Sequence, residues 1–378
     1  MILSPQRHLF DMPRDTCYLN AAYMTPLTMQ QVRAGEEALA LSAHPWQLGQ
    51  EGFFDETERT RALAARVMGV TPDDIAFVPA ASYGIATAAK NLPFKNGQAI
   101  LLLEEQFPSN VYEWQALASR VGGEILTVAT PVDDDWTTAV LDALERFGEK
   151  VAIVSLANVY WSSGAMLDLV AISRRCKDLG AALVLDLSQS LGALPTDFAQ
   201  IDPDFAVAAG YKWMMAPYGL SVLYVAPRWQ HGAGLEQHWI SRKNSQDFRG
   251  LVNYSQDFQP GARRFDMGER SQLVLMPIFA EGLRQLLDWG VGNIADTLSA
   301  LNGRLASTVA KAGFECVAVE RRAPHMLGVK VGAQASAIAQ ALKQHGISAS
   351  FRGDLLRLSP HLWVDAEDEA RLAEALGA

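Results

Sequence analysis

The chain has 378 residues, of which 49% are hydrophobic and 20% are charged, and its formal net charge is −10. This length and composition predict a globular protein of two domains with a large core. The acidic balance argues against nucleic-acid binding, because phosphate contacts need a basic surface, and no apolar run is long enough for a membrane span. The three scattered cysteines exclude a disulfide framework and a CxxC metal site, and they indicate a reducing, cytoplasmic location.

The first 228 residues alternate continuous apolar strands with helical segments. Strands are predicted at 75–78, 99–103, 124–128, 151–156, 182–185, 205–208 and 220–225. Helices are predicted at 56–68, 83–91, 109–121, 137–146 and 166–179. Because apolar strands that alternate with helices are buried on both faces, this pattern predicts an α/β fold with a mostly parallel sheet flanked by helices.

The pattern changes in the last third of the chain. Residues 230–270 form a long irregular stretch, and a helical segment at about 272–311 is broken near Gly290–Gly292. A smaller α+β unit follows, with strands at 316–319, 326–331, 347–350 and 355–359 and helices at 334–345 and from about 366. We therefore predict a large domain over 15–270 and a small C-terminal domain over 271–378, which the N-terminal segment 1–14 joins.

Two residues of opposite charge follow apolar segments. Lys212 lies among small and apolar residues, and Asp186 ends the apolar run 181–185. A lysine in apolar surroundings has a lowered pKa, so its amine can attack a carbonyl, and a carboxylate at the end of a buried strand can hold a proton on a ring nitrogen. A pyridoxal phosphate (PLP) site needs both groups. Taken singly, each residue has a structural alternative, a buried or snorkelling lysine and a helix-capping aspartate.

Residues suited to the rest of such a cofactor follow other predicted strands, at the edge where an open parallel sheet binds its ligands. Small residues around Ser82 open a helix after strand 75–78 and would cradle a phosphate, with a serine N-cap as the alternative. Phe107 follows strand 99–103 and would stack on a ring, with a hydrophobic staple as the alternative.

Three polar side chains complete this set. Asn158 follows strand 151–156, and its amide would donate to a ring hydroxyl. Gln189 lies one helical turn after Asp186 and would contact the same ring, while the phenol of Tyr211 would bond the phosphate.

The chain resembles the class V, fold-type I PLP enzymes, a group that includes cysteine desulfurases, kynureninases and isopenicillin-N-epimerase-like proteins. The matching segments occur in family order and are 18–22, 105–110, 157–159 with Gly164, 186–192, 210–212, 264–268 and 357–361. The DxxQxxG motif at 186–192 together with Lys212 is the most specific element. The resemblance covers most of the chain and implies the PLP-dependent transferase fold.

The resemblance also implies roles for the matched residues. The implied cofactor-binding residues are Ala81, Ser82, Phe107, Asn158, Asp186, Gln189, Tyr211 and Lys212. Among them, Lys212 is the Schiff-base lysine and Asp186 the partner of the pyridinium nitrogen, so these two are catalytic. Gln189 lies near the phenolic oxygen of the ring. No metal is implied.

Substrate binding is expected at Arg357, with Asn20. Arg357 matches the family arginine that binds a substrate α-carboxylate, a task that suits a planar guanidinium. The alternative is a surface strand arginine paired with Asp354. The family also implies a homodimer in which the segment containing Arg264 and Gly268 reaches the site of the partner.

Two departures from the desulfurases bear on the reaction. Segment 348–354, where desulfurases carry a catalytic cysteine, has none, and Cys316 is expected in the core beside a predicted strand. Tyr211 stands where many desulfurases have histidine. These departures argue against sulfur transfer through a cysteine persulfide and favour the kynureninase and epimerase-like branch.

The sequence therefore predicts a PLP-dependent enzyme that acts on an amino acid through Lys212, of the class V aminotransferase type. The alternatives are a lyase or an epimerase of the same fold, and a PLP-fold binding protein that has lost turnover. A nucleotide-binding dehydrogenase would share the α/β alternation, but it needs a GxGxxG motif after an early strand, and the chain has none.

Overall fold

The computed structural model describes residues 1–378, which form thirteen strands and eleven α-helices. The strands are β1 (Cys17–Tyr18), β2 (Ile75–Val78), β3 (Ala99–Leu103), β4 (Glu124–Val128), β5 (Val151–Ala157), β6 (Ala182–Asp186), β7 (Phe205–Ala209), β8 (Ser221–Val225), β9 (Glu315–Cys316), β10 (Leu327–Lys330), β11 (Ile347–Ser348), β12 (Ser350–Arg352) and β13 (Leu355–Leu358). The helices are α1 (Met29–Ser42), α2 (Asp55–Met68), α3 (Ala81–Asn91), α4 (Tyr112–Val121), α5 (Trp136–Phe147), α6 (Leu169–Leu179), α7 (Phe198–Ile201), α8 (Leu275–Trp289), α9 (Val291–Lys311), α10 (Ala335–Gln344) and α11 (Ala366–Leu376).

A seven-stranded sheet in the order β2-β8-β7-β6-β5-β3-β4 forms the centre of the protein. Strands β3 to β7 pair in parallel, whereas β8 is antiparallel to both of its neighbours, β2 and β7. Six of the seven strands therefore run in one direction, and their carboxyl ends share one edge. The predicted α/β fold with a mostly parallel sheet is confirmed.

Both faces of this sheet are covered, because alternate side chains of each strand enter different cores. In β3, Leu101 and Leu103 pack with side chains of α2, α5, α6 and α8. Ile100 and Leu102 of the same strand pack on the other face, with side chains of α3 and α4. No helix of the protein combines the length and the apolar character that crossing a membrane requires.

Several predicted boundaries shift for local reasons. Helix α6 begins at Leu169 rather than at 166, because Asp168 caps it by accepting from the N–H groups of Val170 and Ala171 at 3.0 Å each. Helix α4 begins at Tyr112 rather than at 109, since residues Pro108–Asn110 form a separate 3-10 turn.

A second, antiparallel sheet in the order β12-β13-β10-β9 lies in the C-terminal part of the chain. The N-terminal strand β1 pairs in parallel with β11, so the first residues pack with the last hundred. The strand predicted at 316–319 was wrong beyond Cys316: β9 ends there, Val319 is exposed, and Cys316 is only partly buried. The division into domains at 270/271 stays a prediction, since α8 contributes side chains to both cores.

Candidate active site

A cavity of about 350 Å³ opens at the carboxyl ends of the parallel strands. Its lining residues are Pro79, Ala80, Ala81, Ser82, Leu103, Gln106, Phe107, Ser109, Ala157, Val159, Tyr160, Trp161, Asp186, Ser188, Gln189, Ala209, Tyr211, Lys212, Tyr218 and Gly219. They come from the segments that follow β2, β3, β5, β6 and β7 and from the turn before β8. This is the edge at which open α/β sheets bind ligands, and the volume suits a small cofactor.

Lys212 follows β7 and is 7% exposed. Its Nζ lies 5.3 Å from the ring centroid of Phe107 and 5.8 Å from that of Tyr211. Burial lowers the pKa of Lys212 to about 8. The negative charge of Asp186 raises this pKa, but by less than burial lowers it. A larger fraction of this amine is therefore neutral, and hence nucleophilic, at pH 7 than of an ordinary lysine.

The turn after Lys212 is held in a strained conformation. Met215 adopts a φ of +56°, a region that non-glycine residues rarely occupy, while its N–H donates to the carbonyl of Lys212 at 3.1 Å. The carbonyl of Met215 in turn accepts from Nε2 of the buried Gln31 on α1 at 2.6 Å. Contacts from a distant helix thus keep the lysine at the end of β7.

Asp186 is the last residue of β6 and is 6% exposed. Its Oδ1 accepts from the backbone N–H of Ser188 at 3.0 Å. It lines the same cavity as Lys212, and its negative charge raises the pKa of the lysine by favouring the protonated amine. The two residues singled out in the sequence therefore converge on one cavity.

The N-terminus of α3 faces this cavity through Ala81 and Ser82. No side chain caps the helix, so its first N–H groups and its dipole are available to an anion. Ser82 is exposed and does not cap the helix, so the alternative prediction of a serine N-cap was wrong. Gly84 lets α3 pack closely on β7, since a Cβ there would lie 2.6 Å from Val207.

Two aromatic rings stand at the mouth of the cavity. Phe107 is 37% exposed, and its ring meets that of Trp161 edge-on with centroids 5.6 Å apart. The indole N–H of Trp161 donates to the carbonyl of Glu105 at 2.8 Å, and Glu105 itself has a φ of +49°. Trp161 thus lines the cavity and packs beside Phe107.

Gln189 lines the cavity, and protein contacts fix both ends of its amide. Its Nε2 donates to the carbonyl of Ala22 at 3.1 Å, and its Oε1 accepts from Nε1 of Trp213 at 3.1 Å. The backbone carbonyl of Gln189 also accepts from Nε2 of the buried His325 at 2.5 Å. The side chain therefore presents a fixed amide plane, and Trp213 belongs to the core behind it rather than to the cavity wall.

Tyr211 lines the cavity beside Lys212, and its ring lies 4.8 Å from that of Tyr218. Burial raises the pKa of Tyr211, so its phenol stays protonated and can donate a hydrogen bond at neutral pH.

Arg357 lies on β13, is 1% exposed, and stands behind Trp161 rather than among the residues that line the cavity. Its Nη1 donates to the carbonyl of Trp161 at 2.7 Å, whereas Nε and Nη2 are buried without any partner. Burial, and then the nearby Arg352, lower the pKa of Arg357 to about 9. It is not paired with the exposed Asp354, so the surface alternative was wrong, and a buried guanidinium with two free donors calls for an anion.

The two predicted asparagines do not line the cavity. Asn158 lines a separate cavity, whereas its neighbours Ala157 and Val159 line this one. Alternate residues of an extended segment face opposite sides, so the side chain of Asn158 projects away from the site. Asn20 accepts from Oγ of Ser350 at 2.6 Å, and Ser350 pairs with Arg357 across β12 and β13. Asn20 therefore lies near the arginine.

The three cysteines are free and lie outside the cavity. Cys17 and Cys176 are buried, and burial raises the pKa of each thiol, to about 12 in Cys176. Neither is suited to form a reactive thiolate.

Sequence reasoning missed Arg352, Tyr218 and Gly328. Arg352 lies over the ring of Trp161 at 5.2 Å, and Tyr218 is an exposed wall of the cavity. Gly328 pairs with Arg357, and a Cβ on it would lie 2.5 Å from the carbonyl oxygen of Ser163. The contacts of Arg352 and Gly328 join segments that are distant in sequence, and only the position of Arg352 beside a hairpin turn was a signal.

The cavity fits pyridoxal phosphate in the chemistry of its groups. It offers a nucleophilic amine, a carboxylate for a ring nitrogen, an uncapped helix N-terminus with a serine for a phosphate, and aromatic walls for a planar ring. The unpartnered donors of Arg357 lie alongside, where they suit a carboxylate.

The comparisons with known proteins agree with this assignment. The family described as aminotransferase class-V matches residues 42–354. An uncharacterised aminotransferase of Bacillus subtilis is 22% identical over 326 residues, covering 86% of this chain and 84% of the relative. A kynureninase of Deinococcus radiodurans is 28% identical over 290 residues, covering 74% and 67%.

Solved structures share the fold. A mutant of C-DES with glycine covalently linked to the PLP cofactor superimposes with a TM-score of 0.88 at 20% identity, covering 99% of both chains. The apo cysteine desulfurase of Thermococcus onnurineus has a TM-score of 0.81 at 18% identity, covering 100% of this chain and 98% of that one. The cavity, the family match and the shared fold agree: the chain belongs to the class-V aminotransferase family, and its cofactor is pyridoxal phosphate.

Proposed function

We propose that this protein is a PLP-dependent enzyme that acts on an amino acid and catalyses transamination. The observation that carries the proposal is the convergence of Lys212 and Asp186 on one cavity, beside the unpartnered guanidinium of Arg357. The residues supply an amine, an acid and a carboxylate receptor, which are the groups that amino-acid chemistry on this cofactor needs.

The cofactor would be held from three sides. Nζ of Lys212 would bind it covalently, Asp186 would keep a proton at its ring nitrogen, and the N-terminus of α3 with Ser82 would bind its phosphate. When bound, the cofactor supplies an electrophilic carbon and an electron-withdrawing ring that weakens the bonds at the substrate Cα.

The chain's own residues then position the substrate and move the proton. Arg357 would bind the α-carboxylate through Nε and Nη2, the two donors that have no protein partner. Nζ of Lys212, with its pKa near 8, would take the proton from Cα and deliver it to the cofactor carbon that carries the amino nitrogen, so that the amino group stays with the cofactor. Trp161 and Phe107 would shield the reacting atoms from water.

We further propose that the protein is a cytoplasmic homodimer with its sites near the interface. Tyr218 supports the dimer, because it lines the cavity yet is 71% exposed in one copy. The three free cysteines support a reducing compartment. Analytical ultracentrifugation tests the dimer directly, and a monomer at micromolar concentration would refute it.

The central experiment is to load the purified protein with pyridoxal phosphate, reduce it with borohydride, and map the modified peptide by mass spectrometry. We expect the cofactor on Lys212 and no adduct in Lys212→Ala. The unreduced holoprotein is then tested with a panel of amino acids and an α-keto acid acceptor. Formation of a new amino acid supports transamination; ammonia release or loss of chirality would instead indicate a lyase or an epimerase. Absence of any adduct at Lys212 would overturn the proposal.

A further inference from the structure

A second arginine lies against the wall of the site. Arg352 is partly buried at the end of β12, and its guanidinium lies 5.2 Å from the ring centroid of Trp161, which lines the cavity. The positive charge of Arg352 contributes to the lowered pKa of both Lys212 and Arg357. Its field therefore reaches the lysine and the first arginine.

The geometry of the β12–β13 hairpin places the two arginines on one face. Ser350 pairs with Arg357 and Arg352 pairs with Leu355, so these four side chains project on the same side of the antiparallel pair. Arg352 and Arg357 are diagonal neighbours, a relationship that separates Cβ atoms by about 7 Å. The two guanidinium groups can thus engage two separate anions on one small molecule.

No carboxylate neutralises this pair. Arg352 donates through Nη1 only to the backbone carbonyl of Phe351, at 2.7 Å, and burial lowers its pKa. Asp354, the nearest acid along the hairpin, is exposed and forms no ion pair with it. Like charges held at one site without counter-ions are unfavourable until anions bind.

We propose that Arg352 determines substrate specificity by binding a second anionic group, so that the substrate is an amino acid with an acidic side chain. The proposal rests on the proposed function, in which Arg357 binds the α-carboxylate. Arg352 then binds the side-chain carboxylate across the ring of Trp161. A planar guanidinium with several free N–H donors suits this second carboxylate as it suits the first.

The test compares two four-carbon ligands by calorimetry on the PLP-loaded protein: succinate, with two carboxylates, and butyrate, with one. We expect succinate to bind at least about tenfold more tightly, because the second carboxylate gains charge-assisted hydrogen bonds. Arg352→Gln should reduce this preference at least about tenfold, and Arg352→Lys should have an intermediate effect. Arg304→Gln, which removes a surface arginine elsewhere, should leave both affinities unchanged.

Activity provides the second measurement. In Arg352→Gln, kcat/KM should fall at least about tenfold more for L-aspartate or L-glutamate than for L-2-aminobutyrate, mainly through KM. If Arg352→Gln weakens the binding of succinate and of butyrate equally, both arginines hold the same carboxylate. If it leaves both affinities unchanged, Arg352 only covers the ring of Trp161. Either result overturns the proposal. If Arg357→Gln also leaves butyrate binding intact, the assignment of Arg357 in the proposed function fails as well.

Discussion

Arg357 donates a hydrogen bond to the backbone carbonyl of Trp161 at 2.7 Å, and this contact joins the small antiparallel sheet to the wall of the cofactor cavity. One donor of the guanidinium thereby orients the group, while two donors remain buried without partners. A receptor oriented in advance loses little entropy when the substrate binds, so the site has charge and direction before any ligand arrives.

Removing this guanidinium should make the apoprotein more stable and should abolish carboxylate binding. Arg357→Met would replace a buried, unpaired charge with an apolar side chain, so we expect the apoprotein to become more stable by roughly 1 kcal/mol or more. Butyrate binding should be lost in the same variant. Thermal unfolding and calorimetry measure the two effects. A variant that is destabilised by several kcal/mol would show that Arg357 has a structural role instead.

The amine of Lys212 should titrate near pH 8. The neutral fraction of this amine increases as the pH rises through its pKa. The rate at which Lys212 is acetylated in the cofactor-free protein should therefore reach half of its maximum near pH 8 and be faster above that pH. Asp186→Asn should move the midpoint to lower pH, because the carboxylate favours the charged amine, and Arg352→Gln should move it to higher pH. Brief acetylation followed by peptide mass spectrometry measures this, with exposed Lys95 in the same digest as reference. A midpoint above pH 10 would contradict the assignment.

The close approach at Gly328 should control substrate binding from a distance. Gly328→Ala would place a Cβ 2.5 Å from the carbonyl oxygen of Ser163, and relief of that clash must shift the loop that contains Trp161. We expect a loss of about 1–3 kcal/mol in stability together with weaker butyrate binding. Gly303→Ala is the matched control, because nothing lies within 4 Å of the new Cβ in α9, and it should be neutral or stabilising by up to about 1 kcal/mol. Unchanged butyrate affinity in Gly328→Ala would refute the coupling.

The sequence predicts the central sheet and the two charged groups of the cavity well, because both follow from local patterns. Strands β2 to β8 are apolar runs flanked by helices, and Asp186 and Lys212 follow such runs directly. What it cannot predict depends on neighbours far away in the chain. Asn158 turns away from the cavity because its neighbours in the extended backbone take the other side, and Arg352 gains its importance from a distant indole.

Asp266 should be a main determinant of stability near the phosphate end of the cavity. It is fully buried and accepts from Arg61, Arg270 and the N–H of Phe77, which lies in β2 just before the start of α3. Asp266→Asn would leave the two buried arginines with only the partly exposed Glu58 as a counter-charge, which should cost about 3 kcal/mol. Lys150→Ala, which breaks the exposed pair with Glu124, should cost at most about 1 kcal/mol. Denaturant unfolding of both variants tests this, and similar costs for the two would contradict it.

Two buried histidines should make the protein sensitive to acid. Burial lowers the pKa of His325 to about 4 and that of His361 to about 3, and Nδ1 of His361 accepts from the N–H of Leu362 at 2.8 Å, a bond that protonation would break. Both are therefore neutral in the folded protein at pH values where the unfolded chain already binds protons, near its pKa of about 6.5.

Because the unfolded state binds more protons in this range, the free energy of unfolding should fall as the pH drops from about 6.5 towards 4. Each histidine should contribute a slope of up to about 1.4 kcal/mol per pH unit. His325→Gln and His361→Gln should each flatten the fall in the unfolding midpoint between pH 6.5 and 4, whereas exposed His231→Gln should not alter it. If the two core variants lose stability with acid as steeply as the wild type, the acid sensitivity lies in other groups.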